Sequence, residues 1–330
     1  MKNYVLMGLI IALIIWFSMM ALIPSVDPYS LDNPFWNGLS LASRELKLNY
    51  INVNGLNGLG SDSIVFIIGP IRPPLESELE ILKNYVYGGG FIIIMDEYGY
   101  MNDLIKFLGL NVNVSGFLLR DPLYYWRSST LPIVNAYIGN STLKVYLNYA
   151  STINHIGGKT IASSSYFSYL DLNNNGIHED NEPTGKMDVA VLYNVGGGRI
   201  LIISDSDILI NSMINQGDNL KFVKSFIPSQ YRVYLLEDFI AIGPYTTMRR
   251  NLLSIYTLLF HSSIKYPFTI FLILSSYFIG RNTYLKLNST LKPKRKYVDV
   301  GNVVKKHPGW NINVLKKIAE EMEKIEGLDE

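Results

Sequence analysis

The chain has 330 residues, of which 48% are apolar and 17% charged, with 29 Lys and Arg set against 28 Asp and Glu. So even a balance excludes the basic field of a nucleic-acid binder, and no nucleic-acid partner is expected. The complete lack of cysteine excludes disulfides, thiolate catalysis and zinc–thiolate sites.

In chain order, the first signal is the uncharged run Tyr4–Ile23, closed by Pro24. It supplies the roughly 20 apolar residues that a bilayer core requires of a helix. It exceeds the apolar core of a signal peptide and has no small-residue cleavage pattern, so residues 1–24 read as an uncleaved anchor. Residues 25–263 then form a domain outside the cytoplasm. Trp36–Leu48 reads as a helix leading to a strand at Tyr50–Val53. Ser63–Ile68 is a buried strand, and Pro74–Tyr87 carries Leu75, Leu79, Leu82 and Val86 on one stripe of an amphipathic helix. With the strand in Gly88–Glu97, these make a βαβ unit.

The Gly88–Glu97 segment, GGGFIIIMDE, has a counterpart at Gly196–Asp205, GGGRILIISD. Each places three glycines before a continuous apolar run and an acid after it. Such runs suit strands covered on both faces, as in a parallel sheet. A helix at Asn219–Phe226 and a strand at Tyr231–Leu236 follow. The expected fold class is α/β, a mainly parallel sheet with helices on both faces, of flavodoxin or amidotransferase type. A β-rich insertion at about 111–170 interrupts it.

A second span is expected at 264–282, around Pro267–Gly280. Arg281, Lys286, Lys292, Lys294, Arg295 and Lys296 follow it, the bias of a cytoplasmic flank. Both termini would then be cytoplasmic, with residues 283–330 a basic tail. Within that tail, 311–326 carries an apolar stripe (Val314, Leu315, Ile318, Met322, Ile325), Asn311 as a cap and Gly327 as a stop. Its polar face mixes Glu with Lys. That favours a cytoplasmic protein partner over lipid.

Two sets of residues carry candidate chemistry. Three strands end in acids: Asp96 with Glu97, Asp205 with Asp207, and Glu237 with Asp238. Ligands of open α/β sheets bind beyond the carboxyl ends of the strands, although Asp is equally a common cap. The polar loop at 171–183 matches the calcium template D-x-[DN]-x-[DN]-G-x5-E. Side chains of Asp171, Asn173, Asn175 and Glu182 and the Ile177 carbonyl are the expected ligands, and Gly176 makes the turn. Its flanks are not a helix pair, and Asn-Gly is also a hairpin signal. Gly55–Gly60 precedes a strand and fails as a phosphate loop. The histidines lack metal spacing, and no G-x-S-x-G elbow exists.

Trp36-Asn-Gly38, Phe66–Pro70 before an acidic helix, Gly88–Asp96, Arg199–Asp205, Asn211 and Asp218-Asn219 together carry a resemblance. Over roughly residues 30–240 the chain resembles an uncharacterised membrane-anchored family. That family is related to class I glutamine-amidotransferase folds and to gliding-motility and intraflagellar-transport proteins. The resemblance implies ligand-site candidates at Asp205, Asn211, Asp218 and Asn219, and a MoxR-type ATPase as cytoplasmic partner. It also implies a similar polar loop before the second glycine strand, in support of calcium. Amidotransferase activity is not implied, because that chemistry requires a cysteine. The expected function is a non-catalytic binding or scaffold protein of an envelope assembly or transport complex. The alternatives are a metal-assisted hydrolase of envelope material, using the strand-end carboxylates, and an auxiliary subunit of a membrane transporter.

Overall fold

The computed structural model describes residues 2–291 and 299–326. The chain divides into two units, Met1–Ile255 and Tyr256–Glu330. In the first, helix α1 (Lys2–Leu22) precedes α2 (Ser40–Leu46) and strand β1 (Leu48–Ile51). The βαβ unit follows as β2 (Ser63–Ile68), α3 (Glu76–Tyr87) and β3 (Phe91–Met95), then α4 (Asn102–Phe107). Glu78 accepts the Leu75 N–H and an Arg72 fork at the start of α3. Helix α3 begins after Leu75, which is exposed, and the helix buries Leu82, Tyr85 and Val86.

The insertion is all strand: β4 (Val112–Val114), β5 (Leu118–Arg120), β6 (Tyr125–Trp126), β7 (Ser128–Ile138), β8 (Ser141–Tyr146), β9 (Ile153–His155), β10 (Lys159–Ser163) and β11 (Tyr169–Asp171). The chain returns through β12 (Asp188–Val195), β13 (Gly198–Ile203), α5 (Asn219–Lys224) and β14 (Arg232–Leu236), and continues into α6 (Pro244–His261).

Strands β1, β14, β2, β3 and β13 lie parallel in that spatial order. Beyond β13 the sheet continues as β12, β10 and β7, all antiparallel. The mainly parallel sheet expected from the sequence is therefore half of a mixed one. A continuous apolar run reports burial on both faces and is silent on neighbour direction: β13 is parallel to β3 on one side and forms a hairpin with β12 on the other. Alternate residues of the parallel strands feed two cores. Phe66, Ile93 and Leu201 meet α2 and α5 on one face, while Val65, Ile92 and Ile200 meet α3 and α4 on the other.

The two glycine triplets explain each other. A side chain on Gly198 would strike the carbonyls of Gly90 and Val86, and the Arg199 N–H donates to Gly90 O at 3.1 Å. Only glycine permits that backbone-on-backbone approach.

The second unit comprises the end of α6, then α7 (Lys265–Leu291), α8 (Val300–Lys306) and α9 (Ile312–Glu326). Asp299 caps α8, and Asn311 accepts the Asn313 N–H ahead of α9. Expectations resting on Lys292, Lys294, Arg295, Lys296 and Gly327 lie outside the described residues. The spans expected at 1–24 and 264–282 are helical, but no single helix among the described residues is long and apolar enough to cross a membrane. Pro244–His261 and Lys265–Lys286 meet that requirement only together, as a bent pair. In α7, Thr269, Ser275, Ser276 and Arg281 interrupt the apolar run.

Candidate functional site

Pairing of Met95 with Ile203 brings the carboxyl ends of β3 and β13 side by side, and with them three of the strand-end acids. Glu97 accepts the Ser206 N–H at 2.9 Å. Asp205, buried, accepts the N–H groups of Asn148 and Asp207, both at 2.7 Å. Asp207 accepts from the Tyr29 hydroxyl at 2.7 Å and from Asn148 Nδ2 at 2.6 Å. Burial is the leading cause of a raised carboxyl pKa at all three, and like charge adds to it at Glu97 and Asp205. Glu97 is pushed up to about 7 by burial and then by Asp207. Burial and these acids push the Tyr29 hydroxyl up as well. The Tyr29 ring fills the space where a side chain on Gly69 would stand.

The other expected ligand residues bond to backbone groups or to Arg250. Asp96 is buried and accepts three backbone N–H groups, from Tyr98, Gly99 and Met101, so it caps the turn after β3. Glu237, at the end of β14, is separated from Glu97 by β2 and pairs with Arg250 at 3.1 Å. Asn211 holds the 33–41 segment through Leu41 N, Asn33 O and Phe35 O. Asp218 accepts the Lys144 N–H, and buried Asn219 clamps both backbone groups of Tyr146. These last residues of the family pattern brace backbone segments.

The polar loop starts at the end of β11. Asp171 Oδ1 accepts the Asn175 N–H, and Oδ2 accepts the Gly176 N–H and the Arg120 Nε–H, the last at 2.6 Å. Asn173 and Asn175 cap N–H groups within the loop. Glu182 accepts the N–H groups of Leu172 and Glu179. Burial opposes ionisation of Asp171, but Arg120 and the loop N–H groups outweigh it and hold the carboxyl below its usual range. Gly176 sits at φ +79°, as the template requires. The oxygen set fits calcium, and in this structure both carboxylates are engaged by the N–H groups and the guanidinium just described. Among the described residues, no group of three or more His, Asp or Glu is placed to hold a metal.

One of the strand-end acids, Glu97, and the loop, separate in the sequence, line one cleft of about 260 Å³. Glu97 and Tyr98 contribute from the strand end, Asp171, Leu172 and Asn174 from the loop, and Phe117 and Tyr149 from the insertion. Arg120, Tyr29, Asn148, Phe117 and Tyr149 carried no sequence signal. Each reaches the site from the insertion or the N-terminal segment, through pairings that only the fold creates.

No curated protein matches the chain. Among solved structures it is similar to the mmIFT52 N-terminal domain, at 17% identity and a TM-score of 0.44, covering 57% of this chain and 86% of that one. It is also similar to a GH42 beta-galactosidase from G. stearothermophilus, at 10% identity and a TM-score of 0.29 over 50% of this chain. A third is the exo-beta-1,4-mannosidase Op5Man5 from Opitutaceae bacterium strain TAV5, at 13% identity and a TM-score of 0.30 over 50% of this chain. The chain spans 20% and 25% of those two enzymes. A family model matches residues 32–227, and the chain belongs to that family, described as Domain of unknown function (DUF4350).

Proposed function

We propose that the chain is a non-catalytic, membrane-tethered binding or scaffold protein of an envelope assembly or transport complex. Its α/β domain lies outside the cytoplasm and both termini lie inside. The observation that carries this reading is the surface of α7. Five consecutive residues, Ile270, Phe271, Leu272, Ile273 and Leu274, are all exposed, between 46% and 63%. At about 100° per residue they point in every direction, and a helix apolar all round requires lipid or a partner. In α1, Leu9, Ile10, Ile11 and Leu13 are likewise exposed. The exits of α1 and α6 from the domain are tied together. The Tyr245 hydroxyl donates to the carbonyls of Met20 and Ile23, Ser25 bonds Thr246 at 2.8 Å, and Asp27 accepts the Gly243 N–H.

The tail completes the reading. Ile312, Val314, Ile318 and Met322 of α9 are exposed, an apolar stripe that residues 311–326 would dock on a cytoplasmic protein, with a MoxR-type ATPase as the family-based choice. The chain is naturally cysteine-free, so single cysteines at Asn174 and Lys305 report sidedness directly. In intact cells an impermeant maleimide should label position 174 and spare 305; external labelling at 305 refutes the topology. Deleting 311–330 should remove a cytoplasmic partner from crosslinked membranes, and an unchanged partner set refutes the docking role. The convergence of Glu97, Asp205 and Asp207 favours a second reading, hydrolysis of envelope material. Turnover by the purified chain that Glu97→Gln abolishes would establish it.

A further inference from the structure

The cleft is walled by aromatic rings and carboxyls and by no basic side chain. Tyr98 is 68% exposed, Tyr149 60% and Phe117 45%, so their ring surface is open to a ligand. No Lys, Arg or His is among the lining residues. The guanidinium of Arg120 is taken up on the loop side, by Asp171 at 2.6 Å and Asn174 at 3.5 Å. Glu97 faces Asp205, Asp207, Tyr29 and Tyr98, none of them cationic. Tyr149 holds a left-handed φ of +55°, a cost that backbones tend to bear at ligand-lining positions.

Aromatic faces combined with an uncompensated carboxylate select one ligand chemistry above others. A cation gains from the ring quadrupoles and from the carboxylate together. An anion is repelled, and a neutral polar ligand leaves the charge unanswered. We propose that this cleft binds a small alkylammonium ligand, its cationic head set against Glu97 and enclosed by Tyr98, Phe117 and Tyr149. The cleft volume, about 260 Å³, suits a small molecule. This rests on the binding-module reading but is independent of topology and of the tail. Because Glu97 titrates near 7, the cation binds best where that carboxyl is ionised, and affinity rises from pH 6 to pH 8.

The test is calorimetric titration of the full chain, in a polyoxyethylene detergent, with choline and with its neutral isostere 3,3-dimethyl-1-butanol. Choline should bind at least about tenfold more tightly than the isostere, as expected of a cation–π site aided by a carboxylate. Tyr98→Ala and Tyr149→Ala, both at exposed positions, should weaken choline several-fold without lowering Tm. Glu97→Gln should remove the pH dependence. Equal binding of the isostere, displacement of choline by glucose, or no binding of choline at about 20 mM, well above a weak millimolar Kd, would each overturn the proposal. Those failures leave the labelling and pull-down results untouched, so the two readings fail separately.

Discussion

The loop and the strand ends each give the cleft one carboxyl, Asp171 and Glu97, and the two regions have opposite electrostatics. On the loop wall, Asp171 is buried yet held below its usual pKa, because Arg120 and two backbone N–H groups answer its charge. On the strand-end side, Glu97 and the adjoining Asp205 and Asp207 receive N–H and O–H donors but, among the described residues, no cation, and all three are raised. Two differences act together: Asp171 has a cationic partner, and the strand-end acids are more deeply desolvated. The loop is a closed structural unit, whereas the strand ends hold electrostatic free energy that a ligand cation can release.

The sharpest way to break this contrast is to remove the cation. Arg120→Met leaves Asp171 buried without its partner, and breaking such a pair typically costs about 3–5 kcal/mol. The variant's Tm should fall by roughly ten degrees, at about 2–4 °C per kcal/mol for a domain of this size. Calcium at about 10 mM, tenfold above a weak extracellular-type Kd, should restore part of that loss and raise the wild-type Tm less. A variant with no calcium response retires calcium at Asp171, Asn173, Asn175, Ile177 and Glu182.

The sequence disclosed the scaffold much better than the site. The βαβ unit, the paired glycine strands and the position of the β-rich insertion follow from local apolar runs and turn residues, which act over a few positions. The antiparallel half was hidden, because the pairing of β13 with β12 depends on a partner that a run such as Ile200–Ile203 does not specify. Asp205, Asp207 and Glu97 were visible as acids after strands, but their convergence depends on β3 and β13 being neighbours across about a hundred intervening residues. Asn211, Asp218 and Asn219 read as ligand candidates, and in the structure they bond to backbone groups, a use to which Asn and Asp are equally suited. Arg120 is an ordinary residue in its own segment and gains its role only by reaching Asp171.

The strand-end wall can be probed by pH. A raised carboxyl binds its proton more tightly in the folded chain than in the unfolded one. The folded state then carries more bound protons between the ordinary value and the raised one, and stability falls as pH rises through that window. For Glu97 the window runs from 4.5 to about 7, and Asp205 and Asp207 act with the same sign. Between pH 5 and pH 8 the chain should lose on the order of 2 kcal/mol, read from urea unfolding. Glu97→Gln should flatten the slope. The depressed Asp171 contributes only at acid pH, below its ordinary value of 3.8, so it does not mask the effect. Stability that is flat or rising over this range would show that the acids are answered by a cation after all.

The smallest effect separates hydrogen bonding from charge within the same wall. Tyr29→Phe keeps the ring against Gly69 and deletes the hydroxyl that donates to Asp207 at 2.7 Å. A hydrogen bond to a charged acceptor contributes about 1.5–3 kcal/mol, and one to a neutral acceptor about 1 kcal/mol. The Tyr29 hydroxyl is among the groups that favour the ionised form of Asp207. Without it, the carboxyl rises further and is ionised at greater cost. The variant should therefore lose about 1 kcal/mol or more, and the loss should be larger at pH 8 than at pH 5, because more of the Asp207 carboxyl is ionised at the higher pH. Paired urea titrations of both chains at the two pH values measure the difference. A loss equal at both would mean that Asp207 keeps one charge state across the range. The strand-end wall would then resemble the loop wall in being electrostatically settled, and the contrast between them would rest on Glu97 and Asp205 alone.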